Sequence, residues 1–189
     1  MSAEDKRQKL IDAAYKVFSR NGFNNSSIKD VAKEAGITPG LVHYYFKSKE
    51  ELLLSIQGHI QNQYHRQYDS QDETTTSPID VLLEIKSRVE KDPDWYRWRY
   101  ELYSLGVKND SIKQEVAAIL QTGRESISNP IQGLVGNGEK ADALASILLA
   151  CFDGLALQKM IDDNYNHEQT YSLLIDLLQV YFKGSVHDK

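Results

Sequence analysis

Three hydroxyls and two ammonium groups carry the most suggestive chemistry in this sequence. Ser26 and Ser27 precede one short apolar-periodic segment, Thr38 precedes the next, and Lys47 and Lys49 lie just beyond. Hydroxyls at helix starts stand beside unpaired backbone N–H groups and the positive end of the helix dipole, which suits phosphate oxygens, and the lysines add full charge. Catalytic arrangements are absent from the sequence. There is no GxSxG elbow and no HExxH pair. His59 and His65 sit about 240° apart around a helix and cannot share one ion. His43, His167 and His187 are scattered, and the one thiol, Cys151, excludes both an internal disulfide and a cysteine zinc finger. Gly136 to Gly138 lacks the rest of a phosphate-binding glycine motif and reads as a turn. The residues therefore predict no enzyme, no metal site and no cofactor.

The elements that position those hydroxyls read as helices. From Lys6 to Arg20, Leu10, Ile11, Ala14, Val17 and Phe18 share one face, and Gly22 stops the helix with Phe23 folding back on its last turn. Ser27 with Asp30 is a capping box opening Ile28 to Ala35, which Gly36 ends. Thr38 as N-cap and Pro39 at the first helical position open a third helix to about Phe46. Ser48 with Glu51 opens a long helix to roughly Tyr68. Two short helices around a glycine turn, braced by a preceding helix, have the layout of a helix-turn-helix DNA reader. Burying Ile28, Val31, Ala32, Ile37, Val42 and Phe46 leaves Thr38, Pro39, Gly40, Leu41, His43, Tyr44 and Lys47 as the face a groove would meet.

The stretch from Lys9 to Leu52 resembles the DNA-binding head of the tetracycline-repressor (TetR) family of bacterial transcriptional regulators. The likeness rests on a first helix of pattern "AA..VF...GF", a second of pattern "SI.DVA.EAGI" and "YYF.SKEEL" leading into the fourth. It departs from the family at Pro39 and Leu41, where a basic or small polar residue and a threonine are frequent, and at His43, where a phosphate-contacting tyrosine is frequent. The resemblance implies an all-α protein: a helix-turn-helix head over residues 1–50, and a larger helical ligand-binding and dimerisation domain over residues 51–189. It also implies a double-stranded DNA operator, a small-molecule effector and repression, with activation or ligand-free DNA binding as the alternatives.

Charge divides along the same line. Up to Glu50 nine basic residues face six acidic ones, while the remainder holds 13 basic against 21 acidic, so a mildly basic head is joined to an acidic body. With 41% apolar and 26% charged residues the chain is no disordered tail. No apolar run follows the charged N-terminus, and the apolar uncharged stretch of the C-terminal half, Ala143 to Phe152, is shorter than the ~18 residues of a membrane span. A cytoplasmic protein without a membrane partner is expected.

After the polar interval from Asp69 to Thr76, Pro78 opens a helix carrying Val81, Leu82, Ile85 and Val89, closed by Asp92 and Pro93. Trp95 to about Val107 is dense in aromatic rings; Trp98 and Tyr103, with Phe152 and Gln158 farther on, are expected to line the effector pocket. A helix through Ile112, Val116, Ile119 and Leu120 is expected to kink or end near Pro130. The last two helices, about Lys140 to Asn164 and His167 to Lys183, are apolar over most of their circumference and need cover on both sides. A second copy supplies it most simply, through Leu144, Leu148, Cys151, Leu155, Leu174 and Leu178, as a symmetric four-helix interface. Two tied heads would engage both halves of a palindrome about 34 Å apart or a multiple of that. The helix from Ser48 to Tyr68 is the expected lever between ligand and DNA.

Overall fold

The computed structural model describes residues 2–68, 78–135 and 138–187, and among these every regular element is a helix. In chain order they are α1 (Ala3–Asn21), α2 (Ile28–Ala35), α3 (Pro39–Tyr45), α4 (Lys49–Tyr68), α5 (Pro78–Lys91), α6 (Pro93–Lys108), α7 (Lys113–Val135), α8 (Gly138–Ile161) and α9 (His167–His187). The all-α expectation holds. Residues 69–76, Gly136, Asn137 and the side chains of His59, His65, Val81 and His187 lie outside the described set, and so do the expectations placed on them.

Two compact units divide the chain: one of Met1–Glu73 with Arg97–Ala117, the other of Thr74–Tyr96 with Ala118–Lys189. In the first, α1 packs on α2 and α4, and α2 on α3. Leu10, Phe18, Val31, Val42, Leu52 and Trp98 are wholly buried there. In the second, α5 packs on α8 and α9. Its core gathers Leu82, Ile131, Ala141, Leu148, Phe152 and Tyr171.

Local capping explains most boundaries. α1 starts three residues ahead of expectation because Ser2 and Asp5 form a full capping box, Ser2 Oγ accepting from Asp5 N–H at 3.0 Å. Pro130 does not end α7, which runs on to Val135. A mid-helix proline removes one backbone bond and crowds the preceding turn, and burial of Ile131 and Val135 just beyond it offsets that cost. Gly138, expected in a turn, opens α8. That helix ends at Ile161 rather than Asn164, because Asp162 Oδ1 accepts from Asn164 N–H at 2.9 Å and draws the chain into a turn.

By length and composition α8 is the one described helix apolar enough to cross a membrane, although its central uncharged stretch is short. Ala141, Ala145, Leu148, Phe152 and Ala156 turn into the core of its own unit.

Candidate nucleic-acid interface

The turn between α2 and α3 sets the geometry of the head. Ser27 caps α2, its Oγ accepting from Asp30 N–H at 3.3 Å, while Asp30 accepts from Ser27 N–H at 2.7 Å. The Ser27 hydroxyl and backbone N–H together hold the Asp30 carboxyl below its usual range. At the other end Gly36 is left-handed, φ 61° and ψ 38°, and Ile37 N–H reaches back to Ala32 C=O at 2.9 Å. That is the bond pattern of a Schellman stop, in which glycine meets no Cβ penalty. The turn then hands the chain to α3 with Val42 buried and Phe46 closing below it.

Burying Val42 fixes which side of α3 faces out. Gly40, His43 and Tyr44 follow at i, i+3 and i+4 and are exposed, with Tyr44 at 79%, and Lys47 is exposed two residues past the helix end. Thr38 and Pro39 are exposed beside them, and Leu41 is half-buried. Thr38 makes no side-chain cap bond, so its hydroxyl is not committed to the helix start. Tyr44 and Tyr45 meet edge-on with ring centroids 5.1 Å apart. A methyl group placed on Gly40 would meet nothing within 4 Å, so no intramolecular contact demands glycine there.

The remaining residues expected at the interface have intramolecular duties. Ser26 is buried and donates to Gly22 C=O at 2.7 Å, and the Ser27 hydroxyl donates to Asp30 at 2.7 Å. Lys49 Nζ donates to Phe23 C=O at 2.7 Å and Ser26 C=O at 2.9 Å, with the Phe23 ring 4.0 Å below it. Two of its three donors are thereby used to pin the α1–α2 loop to α4. Spacing offers Glu101 as a group to orient a polar ligand or to pair with Arg97 four residues before it; in the structure it accepts from the buried Phe23 N–H at 3.0 Å and holds α6 against that same loop. An open groove of about 710 Å³, with Glu50 and Glu51 of α4 and Glu115 of α7 in its lining, presents carboxylates and would repel phosphate.

The expected pocket residues fall in different units. Trp98 is wholly buried in the first and donates its indole N–H to Leu53 C=O at 3.3 Å, while Tyr103 is half-buried under the Arg99 guanidinium at 4.9 Å. Phe152 lines a narrow apolar cleft in the second, and Gln158 is exposed, its amide donating to Gly154 C=O at 3.3 Å. Other cleft residues, Leu82 and Ile85 of α5, Ile131 of α7, Leu178 and Phe182 of α9, were legible only as helix faces. Of the expected interface residues, Leu148 and Leu178 are buried, while Leu144, Leu155 and Leu174 pack partly buried against the same core and Cys151 is half-buried. Apolar residues of α8 and α9 that point outward include Ile147, Ile161, Leu173, Leu177 and Val180, each at least 58% exposed.

A three-helix head of this geometry defines a helix-turn-helix protein. Residues 10–56, the head of the chain, match the family described as "Bacterial regulatory proteins, tetR family". The transcriptional regulator HbdR of Aromatoleum sp. is 32% identical over 79 residues, 42% of this chain and 34% of that relative. The chain thus spans about a third of the curated relative's length in this match. Along nearly the whole chain the fold resembles solved structures. A Saccharomonospora viridis protein in complex with choline aligns at TM-score 0.73 with 22% identity, covering 93% of this chain and 96% of that one. FadR of Bacillus subtilis in complex with stearoyl-CoA aligns at TM-score 0.73 with 23% identity, covering 90% and 96%.

Proposed function

We propose that this protein is a cytoplasmic DNA-binding regulator that acts as a homodimer, most simply a repressor released from a palindromic operator by a small-molecule effector. The observation that carries the reading is the outer face of α3. Gly40, His43 and Tyr44 stand clear of the fold on a helix held by a left-handed glycine turn, with Lys47 exposed just past its end, so side chains and backbone can both approach base edges and phosphates. Thr38 and Ser27 add hydroxyls at the starts of α3 and α2, while Lys49 fixes the loop that leads into α2. Self-association is supported by the exposed apolar residues Leu173, Leu177 and Val180 at helical spacing on α9, with Ile147 exposed on α8, the kind of apolar surface that marks a protein partner. The cleft around Phe152 is the effector site most favoured by its apolar lining. Two neighbours of the same fold hold choline and stearoyl-CoA, so fold does not select the effector and the cleft's own chemistry must.

The test is binding of the full chain to duplexes drawn from the DNA flanking its gene, followed by fluorescence anisotropy over a range of salt. Binding to one palindromic duplex at least about a thousandfold tighter than to a scrambled one is expected. Its affinity should fall steeply with salt as counterions are released. Equal affinity for all duplexes, or none, would refute the reading.

A further inference from the structure

Among the described residues of the second unit, two side-chain polar atoms are buried with no hydrogen-bond partner: His167 Nε2, on a residue only 5% exposed, and the Tyr165 hydroxyl. Leaving such groups unpaired costs free energy, and in a native protein it calls for an explanation. Their rings are 6.1 Å apart. His167 meets the buried Tyr171 edge-on at 4.7 Å, and Tyr171 stacks on Phe152 at 6.4 Å and 5°. Phe152 is a wall of the apolar cleft whose other sides are Leu82, Ile85, Ile131, Leu148 and Leu178. An unbroken series of ring contacts therefore runs from an apolar cleft to a pair of unsatisfied polar atoms. The cleft holds only about 20 Å³ of free space, so side chains would have to part for an occupant, which suits a slim chain better than a bulky ring.

We propose that this unit binds a straight-chain aliphatic carboxylic acid, its chain in the cleft and its carboxyl group held by Tyr165 and His167. The proposal rests on the effector-responsive reading above. A carboxyl group satisfies both atoms at once. One oxygen accepts the Tyr165 O–H, and the other shares a single proton with Nε2, as acid with imidazole or as carboxylate with imidazolium. An alcohol has one oxygen for both, and an ester has no proton to share. The charged groups around His167 are Lys86 and Glu90 of α5, Lys159 of α8 and Glu168 of α9. Burial, Lys159 and Lys86 hold the imidazole below its ordinary pKa, so the empty site is neutral at pH 7, and a bound carboxylate would draw a proton onto it.

The test is calorimetry on the full chain with decanoate and dodecanoate against the matching alcohols and methyl esters. The acids are expected to bind at least about tenfold tighter than either analogue. Proton uptake should accompany the acids alone, read from buffers of different ionisation enthalpy. Tyr165→Phe and His167→Phe keep the volume and remove the orphaned atoms. Each should melt no lower than the parent without ligand, lose the preference for acid over alcohol, and in His167→Phe lose the proton uptake. Equal binding of acid, alcohol and ester would overturn the carboxyl assignment, and no binding of any of them would overturn the site. Operator binding is measured on the same samples, so its persistence in either case confines the failure to this inference, whereas its absence strikes the regulator reading itself.

Discussion

Gly40 separates what the fold needs from what DNA needs. An added methyl would touch nothing in the protein, and alanine is the better helix former by up to about 1 kcal/mol. Gly40→Ala should therefore melt no lower than the parent, yet bind operator at least about tenfold more weakly as the methyl meets the groove; unchanged affinity would remove α3's outer face from the interface. Glu101 works in the opposite sense. Glu101→Ala strands the buried Phe23 N–H and should cost about 1 to 2 kcal/mol in denaturant unfolding, while Glu101→Gln keeps an acceptor and recovers much of it. Acid should also find a weak point in His167. Its folded pKa lies below the unfolded value of about 6.5, so the unfolded chain takes up its proton first. The stability this neutral imidazole contributes is present above that pH and is lost as pH falls through the folded pKa. His167→Phe should flatten the dependence of melting temperature on pH below about 6.5. The sequence revealed residues whose partners are local, such as Ser27 with Asp30 three positions on. It did not reveal the shared partner of Lys49 and Glu101, Phe23, which lies 26 and 78 positions away.

Helix starts and stops follow the same rule, because a cap is a contact between near neighbours. α2 opens at the residue its Ser27–Asp30 capping box specifies, α3 opens at Pro39, whose ring presets a helical φ, and Gly36 supplies the stop. The persistence of α7 through Pro130 was not legible, since Ile131 and Val135 are buried by residues distant in sequence. Packing between elements leaves another mark at Gly106, where a Cβ would come within 2.8 Å of Val116. The α6 and α7 backbones approach each other there only because glycine has no side chain. Gly106→Ala gains helix propensity but forces that contact apart, and overpacking of this kind costs about 1 to 3 kcal/mol. A lowered urea midpoint with unchanged slope is expected, and Val116→Ala in the same chain should return part of the loss. If the single variant were as stable as the parent, the close approach would be immaterial.

At the scale of the whole molecule, the sequence marks α8 and α9 as helices apolar over most of their circumference. Periodicity could not say which side each stripe faces, because a helix apolar nearly all round has no unique inward direction. The structure turns Leu148 and Leu178 into the core of their own unit and leaves Leu173, Leu177 and Val180 at the surface. That contrast makes self-association testable residue by residue. Leu173→Asp and Leu177→Asp alter exposed positions, so each chain should fold with its melting temperature little changed once dissociation is allowed for. In sedimentation each should be a monomer where the parent is a dimer. DNA affinity should then fall by a factor of about 10² to 10⁴, because the second head no longer binds as part of the same molecule. Leu178→Asp is the control: a charge placed at a 5% exposed core position should unfold the unit rather than separate two intact copies. A parent that sediments as a monomer at micromolar concentration, or surface variants that remain dimeric, would show that this apolar face meets some other partner and that operator recognition does not depend on pairing two heads through it.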